Sequence, residues 1–220
     1  MAVNTILLPC KSRDTLRIAV DMLLRGQPVA FPTDTVYGIG VHALCTDAVH
    51  NLYRVKARPE SKAIPVLISG VSDLERVACD LPAVVYRLTA ALWPGALTIV
   101  VRRRSIISKE VSAGGSTVAV RVPGHPFVLD LLREVGVPLA TSSANLSGHP
   151  APVTAGEVLQ QLNGRVPIVV DGGPCPGGVP STVIDVSAEP FRIVRQGAVS
   201  RERLASIVPN TVFVVDGDEG

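Results

Sequence analysis

Apolar and polar positions along the chain follow helical and strand periods in turn. Apolar residues at helical spacing predict helices over residues 12–25, from about 46, and over 72–78, 82–92, 126–134, 154–162 and 200–207. Short apolar runs predict strands over residues 28–31, 64–68, 97–101, 117–122, 138–141, 166–170, 182–186 and 191–194. Because helices and strands interleave, and some crossovers are too short to be helical, we predict a layered α/β fold with a mixed sheet.

Composition and charge narrow the class of protein. The chain has 220 residues, 47% of them hydrophobic, which is enough for a well-buried core. A formal net charge of +2 gives no field strong enough for non-specific DNA binding. The four cysteines form no C-x-x-C pair, and neither a signal peptide nor a membrane-spanning apolar run is present. These features indicate a cytoplasmic protein that binds no membrane.

A cluster of cations follows the second predicted helix. Pro59 disfavours helical geometry at Arg58, so the helix should end there and leave Lys56 and Arg58 on one side of an extended segment. The two side chains can then converge on one anion, with Lys62 close behind. Alternatively, these cations only complement the C-terminal end of the helix.

Polar residues also follow several predicted strands, where α/β proteins bind ligands. The segments are Thr33-Asp34-Thr35, Thr141 to Gly148, and the glycine-rich stretch from Asp171 to Gly178 that leads to Ser181. Each is either part of a ligand site or an ordinary capped turn. Arg121 ends a buried strand and needs an anionic partner there.

Other familiar chemistries are absent from the sequence. Gly38 to Ala43 fits G-x-G-x-x-A, but Pro32 to Tyr37 separates it from the preceding strand, so we reject a dinucleotide fold. There is no Walker A motif, no G-x-S-x-G around Ser142 or Ser143, and the four histidines are scattered. We therefore expect no metal site built by the protein.

Seven motifs, in order, resemble those of the YrdC/TsaC family of threonylcarbamoyl-AMP synthases. They are Pro32 to Gly38, Lys56-Ala57-Arg58, Trp93 to Thr98, Val118 to Arg121, Ser143 to Gly148, Asp171-Gly172-Gly173 and Ser181-Thr182-Val183. The resemblance implies a twisted mixed sheet flanked by helices, with a deep basic groove. It implies a single catalytic domain over residues 1–208, the short form of the family, and a C-terminal tail over 209–220 that we expect to be frayed.

The resemblance also implies an activity and a site. The reaction would convert L-threonine, bicarbonate and ATP, with accompanying Mg²⁺, to threonylcarbamoyl-AMP and pyrophosphate, and downstream proteins would transfer the product to tRNA as t6A. The residues that match the catalytic signature are Lys56, Arg58, Ser143 and Asn145. Those that would bind ATP are Arg58, Lys62, Thr117, Ser143 and Arg195. Those that would bind threonine are Thr35, Arg121, Thr141 and Ser181. Leu67, Ala151 and Gln196 depart from the family pattern.

Two other functions compete with the synthase. A module that binds double-stranded RNA or tRNA would use the basic groove together with Arg102-Arg103-Arg104 and Lys109. An aromatic content of 4% leaves few stacking platforms for single strands. A carbamoyl-adenylate domain like those of hydrogenase maturation factors is the third possibility, although those domains belong to much larger chains.

Overall fold

The structure is a computed structural model that describes residues 3–215. Over this range the strands are β1 (Ile6–Pro9), β2 (Val29–Phe31), β3 (Gly38–His42), β4 (Val66–Leu67), β5 (Ala78–Cys79), β6 (Leu97–Arg103), β7 (Thr117–Arg121), β8 (Leu139–Ser143), β9 (Ile168–Asp171), β10 (Thr182–Asp185), β11 (Phe191–Arg195) and β12 (Phe213–Val215). The helices are α1 (Arg13–Leu24), α2 (Thr46–Lys56), α3 (Leu74–Val77), α4 (Ala83–Leu92), α5 (Pro126–Val135), α6 (Ala155–Leu162) and α7 (Arg201–Ile207).

These strands form one mixed sheet, as the sequence predicted. Their order is β1-β9-β2-β3-β8-β4-β7-β6-β10-β11-β12, and β5 pairs with β6. Pairs such as β2 with β9 and β4 with β7 are parallel, whereas β3 runs antiparallel to both of its neighbours. This combination of parallel and antiparallel strands places the ends of β7, β8 and β11 beside the loop that follows β2. The candidate site lies there.

Helices cover both faces of the sheet. Along β2, Val29 and Phe31 join a core with α1 and α5, whereas Ala30 joins a larger core on the opposite face. Successive strand residues point to opposite faces, so this division shows that both faces are buried. The predicted α/β layering is therefore confirmed.

Residues Gly38–His42, for which the sequence predicted neither a helix nor a strand, form β3. The Phe31 ring lies against its glycines, and a Cβ atom on Gly40 would come within 2.9 Å of Thr141 Oγ1 and 3.1 Å of that ring. Close packing of neighbouring side chains thus requires glycine here. No helix begins at these glycines, which agrees with the rejection of a dinucleotide fold.

Three other sequence expectations need correction. The strand predicted over residues 64–68 is paired only at Val66–Leu67. The helix predicted over 72–78 is a 3₁₀ turn at Val71–Asp73, then α3, then β5. The tail expected to be frayed from Pro209 forms β12, which pairs in parallel with β11. The acidic end from Asp216 lies outside the described residues, and the domain boundary after residue 208 stays a prediction.

Two of the helix starts have a side-chain cap. The Thr154 hydroxyl accepts a hydrogen bond from Glu157 N at 3.2 Å, and Ser200 accepts one from Arg203 N at 3.2 Å. Ser12 occupies the N-cap position of α1, but its side chain makes no capping bond. Within residues 3–215, no helix combines the length and the apolar character needed to cross a membrane.

Candidate active site

A cavity of about 260 Å³ lies where the ends of several strands meet. Its walls come from the loop after β2, the end of β8, the last residue of β7 and the segment before β10. The lining residues are Thr33, Thr35, Val36, Tyr37, Gly38, Arg58, Ala63, Pro65, Leu67, Thr98, Arg121, Pro123, Thr141, Ser142, Ser143, Pro180, Ser181 and Arg195. Three arginines and no carboxylate stand among them, so the walls suit an anionic ligand.

Most of the predicted site residues meet at this cavity. Those that line it are Thr35, Arg58, Arg121, Thr141, Ser143, Ser181 and Arg195. Those that do not are Lys56, Lys62, Thr117 and Asn145. Of the positions that depart from the family pattern, Leu67 lines the cavity, whereas Ala151 and Gln196 do not.

Arg121 is buried and held by two segments, the loop after β2 and the turn at Gly95. Its Nη2 donates to Asp34 Oδ1 at 2.7 Å, its Nη1 donates to Thr35 Oγ1 at 3.1 Å, and its Nε donates to Gly95 O at 2.8 Å. Burial lowers the pKa of Arg121, and the charge of Asp34 opposes that effect. The sequence predicted that a buried Arg121 needs an anionic partner, and the protein itself supplies one.

Arg195 and Ser181 form a second fixed group in the wall. Arg195 Nη2 donates to Ser181 O at 2.8 Å and lies 3.2 Å from Ser181 Oγ. The Ser181 hydroxyl also lies 2.8 Å from Thr98 Oγ1. Burial, and then the nearby charge of Arg121, lower the pKa of Arg195. Two guanidinium groups held this close favour an anion between or beside them.

The geometry of the Lys56–Arg58 segment differs from the extended chain that the sequence predicted. Lys56 is the last residue of α2, and Ala57 follows in the left-handed conformation with φ 48°. Arg58 then turns into the cavity wall, where Nη2 donates to Ala63 O at 2.8 Å and Nε donates to Lys62 O at 3.2 Å. Helix α2 sets the direction of Lys56, and the left-handed Ala57 sets the direction of the chain that carries Arg58.

Lys56 does not line the cavity and is buried in the protein. It is 1% exposed, and its ammonium donates to Asn145 O at 2.6 Å and also to Ser143 O. Ser147 N donates to Lys56 O at 2.9 Å, so side chain and main chain of one residue hold the same turn. Burial, and then the charge of Arg58, lower the pKa of Lys56 to about 7.

Asn145 supports this turn from within. Its Nδ2 donates to Leu146 O and His149 O, both at 2.8 Å, and its Oδ1 accepts a hydrogen bond from the Ser143 hydroxyl. Ser143 is thereby fixed in the cavity wall. Asn145 and Lys56 shape the turn that presents Ser143.

The glycine-rich stretch packs behind the site. A Cβ atom on Gly177 would come within 2.6 Å of Asp34 O, and one on Gly172 within 2.6 Å of the Pro32 ring. Gly178 N donates to Thr35 O at 2.9 Å. The turn alternative fits this stretch, because Gly173 N donates to Asp171 Oδ1 at 2.9 Å. Gly172 and Gly177 also pack closely against the Pro32 to Thr35 loop.

Lys62 and Thr117 lie apart from the cavity. Lys62 is exposed, and it is its main-chain oxygen that contacts Arg58. Thr117 begins β7 and Arg121 ends it, a separation of about 13 Å along a strand. Binding of the nucleotide by these two residues stays a prediction.

The second basic cluster is partly committed to main-chain contacts. Arg103 donates to Gly115 O and Ile107 O, and Arg104 donates to Glu75 O and Ala78 O. These bonds hold the loops around β6 and leave fewer free donors for phosphates. The structure therefore does not favour the RNA-binding alternative.

Sequence reasoning missed the roles of Asp34, Gly95 and Thr98, although all three lie in quoted motifs. Their partners are Arg121 and Ser181, which are far away along the chain. The only local signal was a carboxylate placed directly after a buried strand. Among residues 3–215, no group of three or more His, Cys, Asp or Glu side chains could hold a metal ion.

A comparison with models of protein families identifies the family of this chain. The Sua5/YciO/YrdC family model, described as "Telomere recombination", matches residues 21–197. The chain belongs to the Sua5/YciO/YrdC family. This result confirms the resemblance drawn from the motifs.

Individual members of the Sua5/YciO/YrdC family are similar to this chain in sequence and in structure. A Bacillus subtilis protein named threonylcarbamoyl-AMP synthase is 41% identical over 86% of this chain and 55% of its own length. The chain therefore spans about half the length of that relative. A Mycobacterium tuberculosis relative is 40% identical over 86% of this chain and 87% of its own. The crystal structure of P. abyssi Sua5 complexed with L-threonine matches with a TM-score of 0.90 and 32% identity, over 97% of this chain and 62% of that one.

Proposed function

We propose that the chain is a threonylcarbamoyl-AMP synthase. It would convert L-threonine, bicarbonate and ATP to L-threonylcarbamoyl-AMP and pyrophosphate, for t6A modification of tRNA by downstream proteins in the cytoplasm. The observation that carries this proposal is the fixed guanidinium of Arg121 in a cavity that Arg58 and Arg195 also line. The name of the Bacillus subtilis relative and the threonine complex of P. abyssi Sua5 support it.

The amino acid would bind at the Arg121 side of the cavity. A guanidinium recognises a carboxylate through charge-assisted hydrogen bonds, worth about 1.5–3 kcal/mol each. The hydroxyl groups of Thr35, Thr141 and Ser181 line the same cavity and offer partners for the amine and the side-chain hydroxyl. We assign the threonine site to these four residues.

ATP would bind on the Arg58 side. Arg58 and Arg195 are the lining cations apart from Arg121, and Ser143 offers its hydroxyl from the turn. Lys62 and Thr117 belong to this assignment only if the nucleotide extends beyond the cavity. Mg²⁺ would enter with ATP, held by phosphate oxygens and water.

The chemistry needs positioning and charge stabilisation more than a protein nucleophile. The threonine amine takes up bicarbonate to give a carbamate and water, a carbamate oxygen attacks the α-phosphorus, and pyrophosphate leaves. Negative charge concentrates around the phosphates in the second step, where Arg58 and Arg195 would stabilise it. Within the signature, Arg58 and Ser143 reach the cavity, whereas Lys56 and Asn145 would act by holding the Ser143 turn.

The test is product formation by the purified chain. With MgATP, L-threonine and bicarbonate we expect threonylcarbamoyl-AMP by mass spectrometry, together with one pyrophosphate for each product. Omitting bicarbonate, or replacing threonine and bicarbonate with carbamoyl phosphate, should abolish it. A folded protein that forms no product contradicts the proposal, and turnover of carbamoyl phosphate would favour the carbamoyl-adenylate alternative. Binding of tRNA or double-stranded RNA stays a prediction.

A further inference from the structure

Asp34 lies directly behind the guanidinium of Arg121. Its Oδ1 accepts hydrogen bonds from Arg121 Nη2 at 2.7 Å and from Gly124 N at 2.9 Å. The Asp34 side chain is 17% exposed and that of Arg121 is 9% exposed. Arg121 lines the cavity and Asp34 does not, so the carboxylate approaches Arg121 from the side away from the ligand space.

Three groups accept hydrogen bonds from the Arg121 guanidinium, and Asp34 is the charged one. The other two acceptors, Gly95 O and Thr35 Oγ1, are neutral. A guanidinium has five N–H donors, so these three bonds leave two for a ligand. With Nε and both terminal nitrogens engaged, the plane of the guanidinium is set before any ligand binds.

The carboxylate is itself held firmly in place. A Cβ atom on Gly124 would come within 3.3 Å of Asp34 Cγ, and one on Gly177 within 2.6 Å of Asp34 O. The absence of side chains at both positions lets the main chain close around Asp34. A group packed this tightly transmits a fixed geometry to its partner, as the groups around a ligand-binding residue must.

We propose that Asp34 is the positioning residue of the amino-acid site, which holds Arg121 so that its two remaining N–H donors receive the carboxylate of the substrate. This inference rests on the proposed function. It adds a role for a residue that touches no substrate. The preference of the site for a carboxylate would then depend on Asp34 as well as on Arg121.

The preference for a carboxylate is directly measurable. L-Threoninol carries a CH₂OH group where L-threonine has its carboxylate, and the ratio of the two dissociation constants isolates the contact with Arg121. Calorimetric titration of the wild-type chain should show threonine binding at least about tenfold tighter than threoninol. Asp34→Ala should reduce this ratio by about tenfold, because Arg121 loses both its orientation and its charged partner.

Two further variants separate positioning from general damage. Asp34→Asn keeps an oxygen that can accept from Arg121 and Gly124, so its ratio should fall less, by about threefold. Asp130→Asn removes the carboxylate of an exposed Asp–Arg pair, in which Asp130 lies 2.9 Å from Arg133, and should leave the ratio unchanged. Affinity for ATP should stay within about threefold in all three variants, whereas a merely structural defect would weaken both ligands together. If Asp34→Ala does not fold, Asp34→Asn decides the test.

The outcomes distinguish this inference from the function on which it rests. If the wild-type chain binds threonine with the expected preference and the folded Asp34 variants keep that preference, the positioning role is wrong and the synthase proposal stands. A parallel loss of threonine and ATP binding also rejects the positioning role. If the wild-type chain binds no threonine and forms no product, both proposals fall.

Discussion

The buried ammonium of Lys56 donates a 2.6 Å hydrogen bond to the main-chain oxygen of Asn145, a residue 89 positions away along the chain. A second bond reaches Ser143 O. The sequence predicted that Lys56 contacts an anion. In the structure, its ammonium instead joins the end of α2 to the turn after β8. Because this ammonium is in the protein interior, its protonation is coupled to folding.

The stability of the protein should depend on pH through Lys56. Its pKa is lowered from the ordinary value of 10.5 to about 7, so between these values the unfolded chain binds more protons than the folded one. The free energy of unfolding should therefore rise with pH across this window. The difference in unfolding free energy between the wild type and Lys56→Met should therefore change in favour of the wild type by about 1–2 kcal/mol between pH 7 and pH 9. Urea denaturation at each pH measures it.

The exposed Lys109 supplies the control for that experiment. Lys109→Met should follow the wild-type curve, since the exposed Lys109 side chain is not moved into the protein interior on folding. Parallel curves for wild type and Lys56→Met would show that the ammonium is solvated or fully compensated.

Arg58 should be essential for turnover and dispensable for folding. Arg58→Ala removes a cation from the cavity wall, and loss of one donor that stabilises transition-state charge costs about 100-fold or more in rate. Its two hydrogen bonds go to main-chain oxygens of the exposed loop residues Lys62 and Ala63, so the thermal midpoint should shift by only a few degrees. Arg54→Ala, an exposed arginine one turn earlier in α2, should keep full activity. Substantial activity in Arg58→Ala would mean that the phosphates bind elsewhere.

Gly197 should tolerate no side chain, because it packs directly against Pro180 and Ser181 in the wall of the proposed threonine site. A Cβ atom there would come within 2.3 Å of Pro180 O and 2.6 Å of Ser181 O. Gly197→Ala should lower the free energy of unfolding by about 1–3 kcal/mol and raise the KM for threonine, since Ser181 must move. In Gly156→Ala the new atom would lie 3.9 Å from Thr154 Oγ1. That variant should be as stable as wild type or more stable by up to about 1 kcal/mol, and equal stabilities for the two would refute the packing argument.

The Tyr37 hydroxyl should stabilise the loop that supports the site. It donates to Gly173 O at 2.8 Å and accepts from Gly172 N at 3.2 Å. Burial raises the pKa of Tyr37 to about 12, so the hydroxyl stays protonated at neutral pH. Tyr37→Phe should cost about 1–2 kcal/mol of unfolding free energy.

Tyr86 is the matched control for Tyr37. It is 44% exposed and its hydroxyl donates to the side chain of Glu75, also at the surface, so Tyr86→Phe should change stability by less than about 0.5 kcal/mol. Chemical denaturation of both variants decides the matter, and a Tyr37→Phe protein as stable as wild type would contradict the contact.

Local pattern was enough for most helices and strands. The sequence predicted a helix over residues 126–134, and α5 spans Pro126–Val135 with its apolar stripe against the core. It missed β3 because glycines carry no apolar signal, and it missed β12 because its pairing with β11 is long-range. Elements whose periodicity reflects one buried face were visible from the sequence alone.

The sequence by itself determined the α/β class, the order of the motifs and seven of the residues that line the cavity, because polar groups at strand ends are local features. Only the tertiary structure decided what each charge does. It buried the Lys56 ammonium against the turn after β8 and placed Asp34 behind Arg121, 87 residues away. Sheet order and register set these contacts, and both depend on packing between segments far apart in the chain, which no local pattern contains.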